Sequence, residues 1–252
     1  MVTFSAVQLD AWLAGFLLPF IRILALFTAA PLFSQRGFPP RARIAAAGAI
    51  AFAVAPFAGV PAGITLASST GLALVAQQVV IGLALGFAAR LVFAVFETAG
   101  EVIGLQMGLS FAGFFSPQGG STSAVGSWLN TLALLLFLSL NGHLLLLDTL
   151  VATFRSLPIA PDFLGTLSAL RLERLGADVF RLGLMLALPA TLMMLFINGV
   201  LGFASRVAPQ LSVFSVGFPI TLLAGMALLA VSTGAVPEHL ELALAAFLGG
   251  WR

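Results

Sequence analysis

Residues 72–96 read LALVAQQVVIGLALGFAARLVFAVF, a run of twenty-five in which Arg90 carries the only charge. A helix needs ~20 predominantly apolar residues to cross the hydrocarbon core of a bilayer, and this run exceeds that length. It is rich in Ala and Leu and shows no sustained alternation of apolar and polar positions, so it predicts a helix rather than a strand. Five further runs of the same kind, 11–33, 44–60, 128–147, 182–204 and 211–231, extend the reading to an all-α chain of six apolar helical segments. Composition agrees: of 252 residues, 60% are apolar and 8% charged, whereas a soluble domain carries roughly 25% charged residues to meet water.

The runs are not clean. Pro19, Arg22 and Pro31 interrupt the first, Pro56 the second, Arg90 the third, Asn141 and His143 the fourth, Pro189 and Asn198 the fifth, and Pro219 the sixth. An Arg at the bilayer centre costs roughly 2.5–3.5 kcal/mol on insertion scales, and an interior Pro frees backbone groups that lipid cannot satisfy. Neighbouring protein must supply the missing partners, so much of the apolar surface is expected to face other subunits. The basic residues give a split orientation signal. Six alternating spans put Arg36, Arg41, Arg43 and Arg206 on one side but Arg155, Arg171 and Arg174 on the other, where the rule expects one Arg-rich side. Either one run does not span, or the bundle is not threaded conventionally.

Several functions are disfavoured by what the chain carries. Its eleven basic residues are all Arg, set against nine acids, and no basic cluster interleaved with aromatics marks a nucleic-acid surface. With no Cys there is no disulfide framework and no thiolate site. His143 and His239 are the only histidines, and neither has a second ligand one helical turn away, so no metal site is expected. No Ser/His/acid set, phosphate loop or dinucleotide fingerprint occurs; the expectation is a non-enzymatic chain without a cofactor. The first basic residue, Arg22, lies inside an apolar run, which argues against a cleavable signal peptide.

Four features carry candidate roles. Gly100, Gly104 and Gly108, followed by Ala112, place small residues at every fourth position, a flat helical stripe along which another backbone can approach, within this chain or from another. Arg90, Glu97 and Glu101 share a helical face; they read either as a proton relay or as groups paired between helices near an interface. Asn141-Gly142-His143 reads either as an ion site or gate, or as a buried hydrogen-bonded kink. The stretch 113–126, GFFSPQGGSTSAVG, is uncharged and begins with two Phe after its first Gly.

Read together, the blocks resemble one family. Pro19-Phe20-Ile21-Arg22-Ile23 with Ala30-Pro31-Leu32-Phe33-Ser34, the run from Gly100-Glu101 through Gln106-Met107-Gly108 to Ala112, Leu140-Asn141-Gly142-His143-Leu144, Leu186-Ala187-Leu188-Pro189, and Arg206-Val207-Ala208-Pro209-Gln210-Leu211-Ser212 with Gly217-Phe218-Pro219 stand in the order of the FliR family. These are the R-type subunits of type III export gates. The segment after Phe115 departs from the pattern, reading Ser116-Pro117 where the family has Asp-Pro, and the tail after Pro237 is short.

The resemblance implies a structural pore subunit of the flagellar export gate in the bacterial inner membrane and flagellar basal body, passing unfolded export substrates. Its partners would be P-type and Q-type gate subunits and the FlhB switch protein. It implies helical hairpins with kinked helices raised from the bilayer plane toward the periplasm, in one integrated unit. A P-like part covers residues 1–177 and a Q-like hairpin covers 178–252, turning near Arg206, Pro209 and Gln210. It also implies a plug at 110–127, with Phe111, Phe114, Phe115, Ser116 and Pro117 sealing the closed pore, and it places Arg22, Gln106, Met107, Asn141 and His143 among interface or buried polar positions. A homologous gate subunit of a virulence injection system is the nearest alternative. An ion-coupled transporter is a more distant one, because no paired halves with matching broken helices are seen.

Overall fold

The computed structural model describes residues 6–34, 39–61, 64–109, 123–160, 165, 172–207 and 216–251, and among them it is all-α. The helices are α1 (Ala6–Ala29), α2 (Pro31–Ser34), α3 (Pro40–Val54), α4 (Ser69–Gln106), α5 (Ala124–Ser139), α6 (Gly142–Ser156), α7 (Leu172–Val207), α8 (Phe218–Ser232) and α9 (Val236–Leu248), with short 3-10 turns at Ala55–Phe57, Thr233–Ala235 and Gly249–Trp251. Local chemistry sets the boundaries. Pro40 occupies the first turn of α3, where its missing N–H costs nothing. Ser68 caps α4, its hydroxyl accepting from the Gly71 N–H at 3.1 Å.

Four segments are long and apolar enough to cross a membrane: Asp10–Ala29, Ser69–Gln106, Leu175–Val207 and Phe218–Trp251. Counting the interrupted pair Ala124–Ser139 and Gly142–Ser156 as one makes five. The second apolar run does not reach spanning length: its helix α3 has 15 residues and gives way at Val54 to a 3-10 turn containing Pro56. The fourth run breaks at Asn141, whose backbone is left-handed with φ 56°. Asn tolerates that conformation better than other side chains with a Cβ, so the helix stops at Ser139 and restarts at Gly142.

The chain divides into two units. The first comprises 1–91, 141–175 and 245–252. Its core gathers Ala14 and Leu18 of α1, Val54 and Ala58, Leu74 of α4, Phe154 of α6 and Ile159. In this unit α4 lies close to α1 at Gly82 and Gly86. A Cβ on Gly82 would collide with the Arg22 carbonyl, and one on Gly86 would come within 2.5 Å of Ala29 Cβ. Ser156 donates to the Trp251 carbonyl at 3.1 Å, securing the C-terminal turn to α6.

The second unit comprises 92–140 and 176–244. In it α4 meets α5 through Phe93 and Phe137, edge to face with centroids 5.4 Å apart. It meets α7 where a Cβ on Gly183 would come within 3.1 Å of Thr98 and of the Val95 carbonyl, and it meets α8 at Met107 and Gly225.

Candidate functional site: the frame flanking residues 110–122

The stretch expected to act lies almost wholly outside the described residues: Phe111, Phe114, Phe115, Ser116 and Pro117 cannot be placed. Its two flanks are placed, and both fall within the second unit. The outgoing flank ends α4. Gly108 has φ 78°; Leu109 N–H donates to the Gly104 carbonyl at 3.0 Å and Gly108 N–H to that of Leu105 at 3.1 Å. That pair of bonds around a left-handed Gly is a Schellman ending, which satisfies carbonyls the helix leaves open. Gly108 therefore ends a helix, and a Cβ there would lie 3.4 Å from the Phe218 ring.

The preceding residues are fastened to other helices. Asn198 of α7 donates to the Gln106 carbonyl at 3.3 Å, and Thr221 of α8 approaches the Met107 carbonyl at 3.5 Å. The Met107 side chain is buried and fills the space that a side chain at Gly225 would need.

The returning flank starts α5. Ser123 is the N-cap, its hydroxyl accepting from the Gly126 N–H at 3.0 Å and approaching the Gly100 carbonyl at 3.5 Å. Glu101 accepts from the Ser123 N–H at 2.5 Å. This cap makes residues 124–127, counted with the loop in the sequence, the first turn of a helix. Gly100 and Gly104 form the seat. A Cβ on Gly100 would strike the Gly126 backbone, and one on Gly104 would lie 3.2 Å from Ser123 Oγ. The small-residue stripe is thus occupied at these two positions by this chain's own α5.

The remaining candidates are elsewhere. Arg22, in the first unit, is fully buried. Its guanidinium donates to Gln78 Oε1 at 2.7 Å, to the Thr153 carbonyl at 2.9 Å and hydroxyl at 3.1 Å, and to the Leu157 carbonyl at 2.9 Å. It also sits 4.2 Å from the centroid of the Phe154 ring. Every one of these acceptors is neutral, and the carbonyls belong to the C-terminal end of α6, where the helix dipole presents partial negative charge. Gln78 in turn donates to Gln77 at 3.1 Å.

Arg90 is exposed, in the first unit, while Glu97 and Glu101 are half-buried in the second. Asn141 is exposed at the helix break. His143 is half-buried, and among the described residues its buried Nδ1 meets no hydrogen-bond partner. Arg206 is exposed in the last turn of α7; Pro209 and Gln210 lie outside the described residues.

Reasoning from the sequence missed Ser123, Gly126, Asn198, Thr221 and Gly225, all partners of the Gly100–Gly108 segment. One signal was available. Ser123 stands three residues before Gly126 at the head of an apolar run, the spacing of an N-cap and the amide it caps.

The class these features define is an all-α protein of the membrane type, in which polar side chains secure helix ends. Residues 13–246 match the family described as bacterial export proteins, family 1. The chain is 44% identical over 243 residues to the flagellar biosynthetic protein FliR of Pectobacterium carotovorum, covering 96% of this chain and 92% of that one. It is 44% identical to the protein of the same name from Escherichia coli, covering 91% and 88%, and 33% identical to that of Bacillus subtilis, covering 86% and 85%. The chain belongs to this bacterial export family and, within it, to the FliR proteins.

Proposed function

We propose that this component of the flagellar export apparatus is a structural pore subunit of the export gate in the inner membrane, through which unfolded flagellar substrates pass. The observation that carries the reading is the surface of α7. Between exposed Arg181 and exposed Arg206, every exposed position is apolar, with Leu188, Leu192, Phe196, Val200 and Phe203 among them. At 1.5 Å per residue the 36-residue helix is about 54 Å long, well beyond the ~30 Å hydrocarbon core of a bilayer. The exposed apolar strip itself, from Leu184 to Phe203, is about 29 Å long, and a contiguous apolar surface of that extent marks a face for contact with other subunits or the bilayer.

P-type and Q-type gate subunits and the FlhB switch protein are the partners in this reading. Residues 1–177 act as a P-like part and 178–252 as a Q-like hairpin. Phe111, Phe114 and Phe115, with Ser116 and Pro117, seal the closed pore, since large aromatics in an uncharged segment exclude water and ions from a constriction.

The test is purification of the tagged chain in mild detergent with the apparatus expressed. Co-recovery of P-type and Q-type subunits is expected; recovery only as a monomer or homodimer overturns the reading. Ion leakage through the idle apparatus should rise in the double substitution Phe111→Ala with Phe114→Ala, and unchanged leakage removes the plug assignment.

A further inference from the structure

In a capping box, the N-cap Ser accepts from the N3 amide while a Glu or Gln side chain at N3 accepts from the N-cap amide. Helix α5 has the first half in its own sequence: Ser123 is the N-cap and accepts from Gly126, the N3 residue. Gly126 has no side chain to make the second half. A side chain there would be crowded in this packing: its backbone is the surface against which Gly100 lies, and a Cβ there would come within 3.3 Å of both the Glu97 carbonyl and Glu101 Oε1, which would have to shift by a few tenths of an ångström. The acceptor for the Ser123 amide comes instead from Glu101 of α4.

We infer that Glu101 is a positioning residue that completes the capping box of α5 in trans. It supplies the carboxyl that Gly126 gave up for close helix contact, and so sets where the chain re-enters the helical frame at Ser123. The bond joins residues 22 apart in sequence, so one side chain controls both the start of α5 and its seating on α4. The observations converge independently: the Ser123 hydroxyl is shared between Gly126 N–H and the Gly100 carbonyl, and the glycines at 100 and 104 leave the room in which the cap sits. An acidic group also suits the positive end of the α5 dipole. This use of Glu101 calls for a fixed acceptor oxygen at the tip of a three-bond side chain, which a proton relay does not require. The cap does not depend on the sealing role proposed for residues 110–122.

The test uses the full chain in its detergent-solubilised complex, with hydrogen exchange followed at the Ser123 and Gly126 amides. Glu101→Gln keeps an acceptor oxygen at the same reach and should leave exchange within about twofold of wild type. Glu101→Ala removes the acceptor and Glu101→Asp withdraws it by one methylene; each should speed exchange at both amides about fivefold, the size of a lost N-cap contact, while amides in the middle of α5 stay unchanged. Wild-type exchange in the Ala and Asp variants, or equal acceleration in the Gln variant, overturns the inference. Ion leakage in the Phe111→Ala, Phe114→Ala double variant separates the cap from the proposed sealing role. If the Phe111→Ala, Phe114→Ala protein does not leak while the exchange pattern holds, the sealing role fails and the trans cap stands.

Discussion

Arg22 and Glu101 are both ionisable side chains in long apolar helices, and the two units of the protein accommodate them differently. The guanidinium is fully buried and uses four hydrogen bonds and an aromatic face, all from neutral groups of two other helical segments. The half-buried Glu101 meets one backbone amide beside a glycine seam. What they share is that the compensating partner is a helix end: the carbonyl end of α6 for the cation, the amide end of α5 for the acid. A chain that is 8% charged therefore places two of its charges on the partial charges its own backbone leaves unpaired. The difference lies in depth, and depth governs how much each site costs to break.

The sharpest test of that contrast is Arg22→Ala, which leaves buried carbonyls and the Gln78 amide without their donor and opens a cavity. It should destabilise by on the order of 3–5 kcal/mol, read from thermal unfolding in detergent. Arg22→Lys, with one ammonium in place of a planar fork, should recover less than half of that. Glu101→Ala should cost only ~1 kcal/mol by the same measurement, in keeping with an N-cap contact. Equal losses at the two sites would remove the argument from depth.

The glycine seams come next. Gly82→Ala in the first unit and Gly100→Ala in the second both press a methyl against backbone atoms that cannot rotate away; each should cost about 1–3 kcal/mol. Gly104→Ala meets a movable hydroxyl at 3.2 Å and should stay below ~1 kcal/mol. The smallest effect is expected for a glycine at the break between α5 and α6. Asn141→Ala should lose about 1 kcal/mol because its φ is positive, whereas Asn141→Gly should change stability by no more than a few tenths. Loss in the Gly variant as well would mean that the Asn141 side chain, not its backbone conformation, maintains the break.

Much of the fold was legible from residue order, and the exceptions are local. The apolar runs at 72–96 and 182–204 appear as the long helices α4 and α7, because a run dominated by Ala, Leu and Val satisfies nearly all of its backbone internally, even with Pro189 inside α7. The run at 44–60 was read as long enough to span and is not: Pro56 lies within it, and the helix ends two residues earlier. The first turn of α5 was counted as loop because it holds Ser, Ala, Val and Gly, none of which announces a helix unless Ser123 is recognised as a cap. Met107 and Gln106 were singled out by resemblance, yet their partners Gly225, Thr221 and Asn198 lie more than ninety residues away, and no periodicity connects them.

The sequence by itself determined that this chain is helical, apolar and of the export family, since composition and run length depend only on which residues follow one another. It also determined that Arg22 and Glu101 needed partners, because charge in an apolar helix is costly in any fold. Only the tertiary structure decided what those partners are. A guanidinium can be satisfied by carbonyls from α6, and a carboxyl by the amide of Ser123, only once helices distant in sequence have packed side by side, and that juxtaposition is written in no single stretch of the chain.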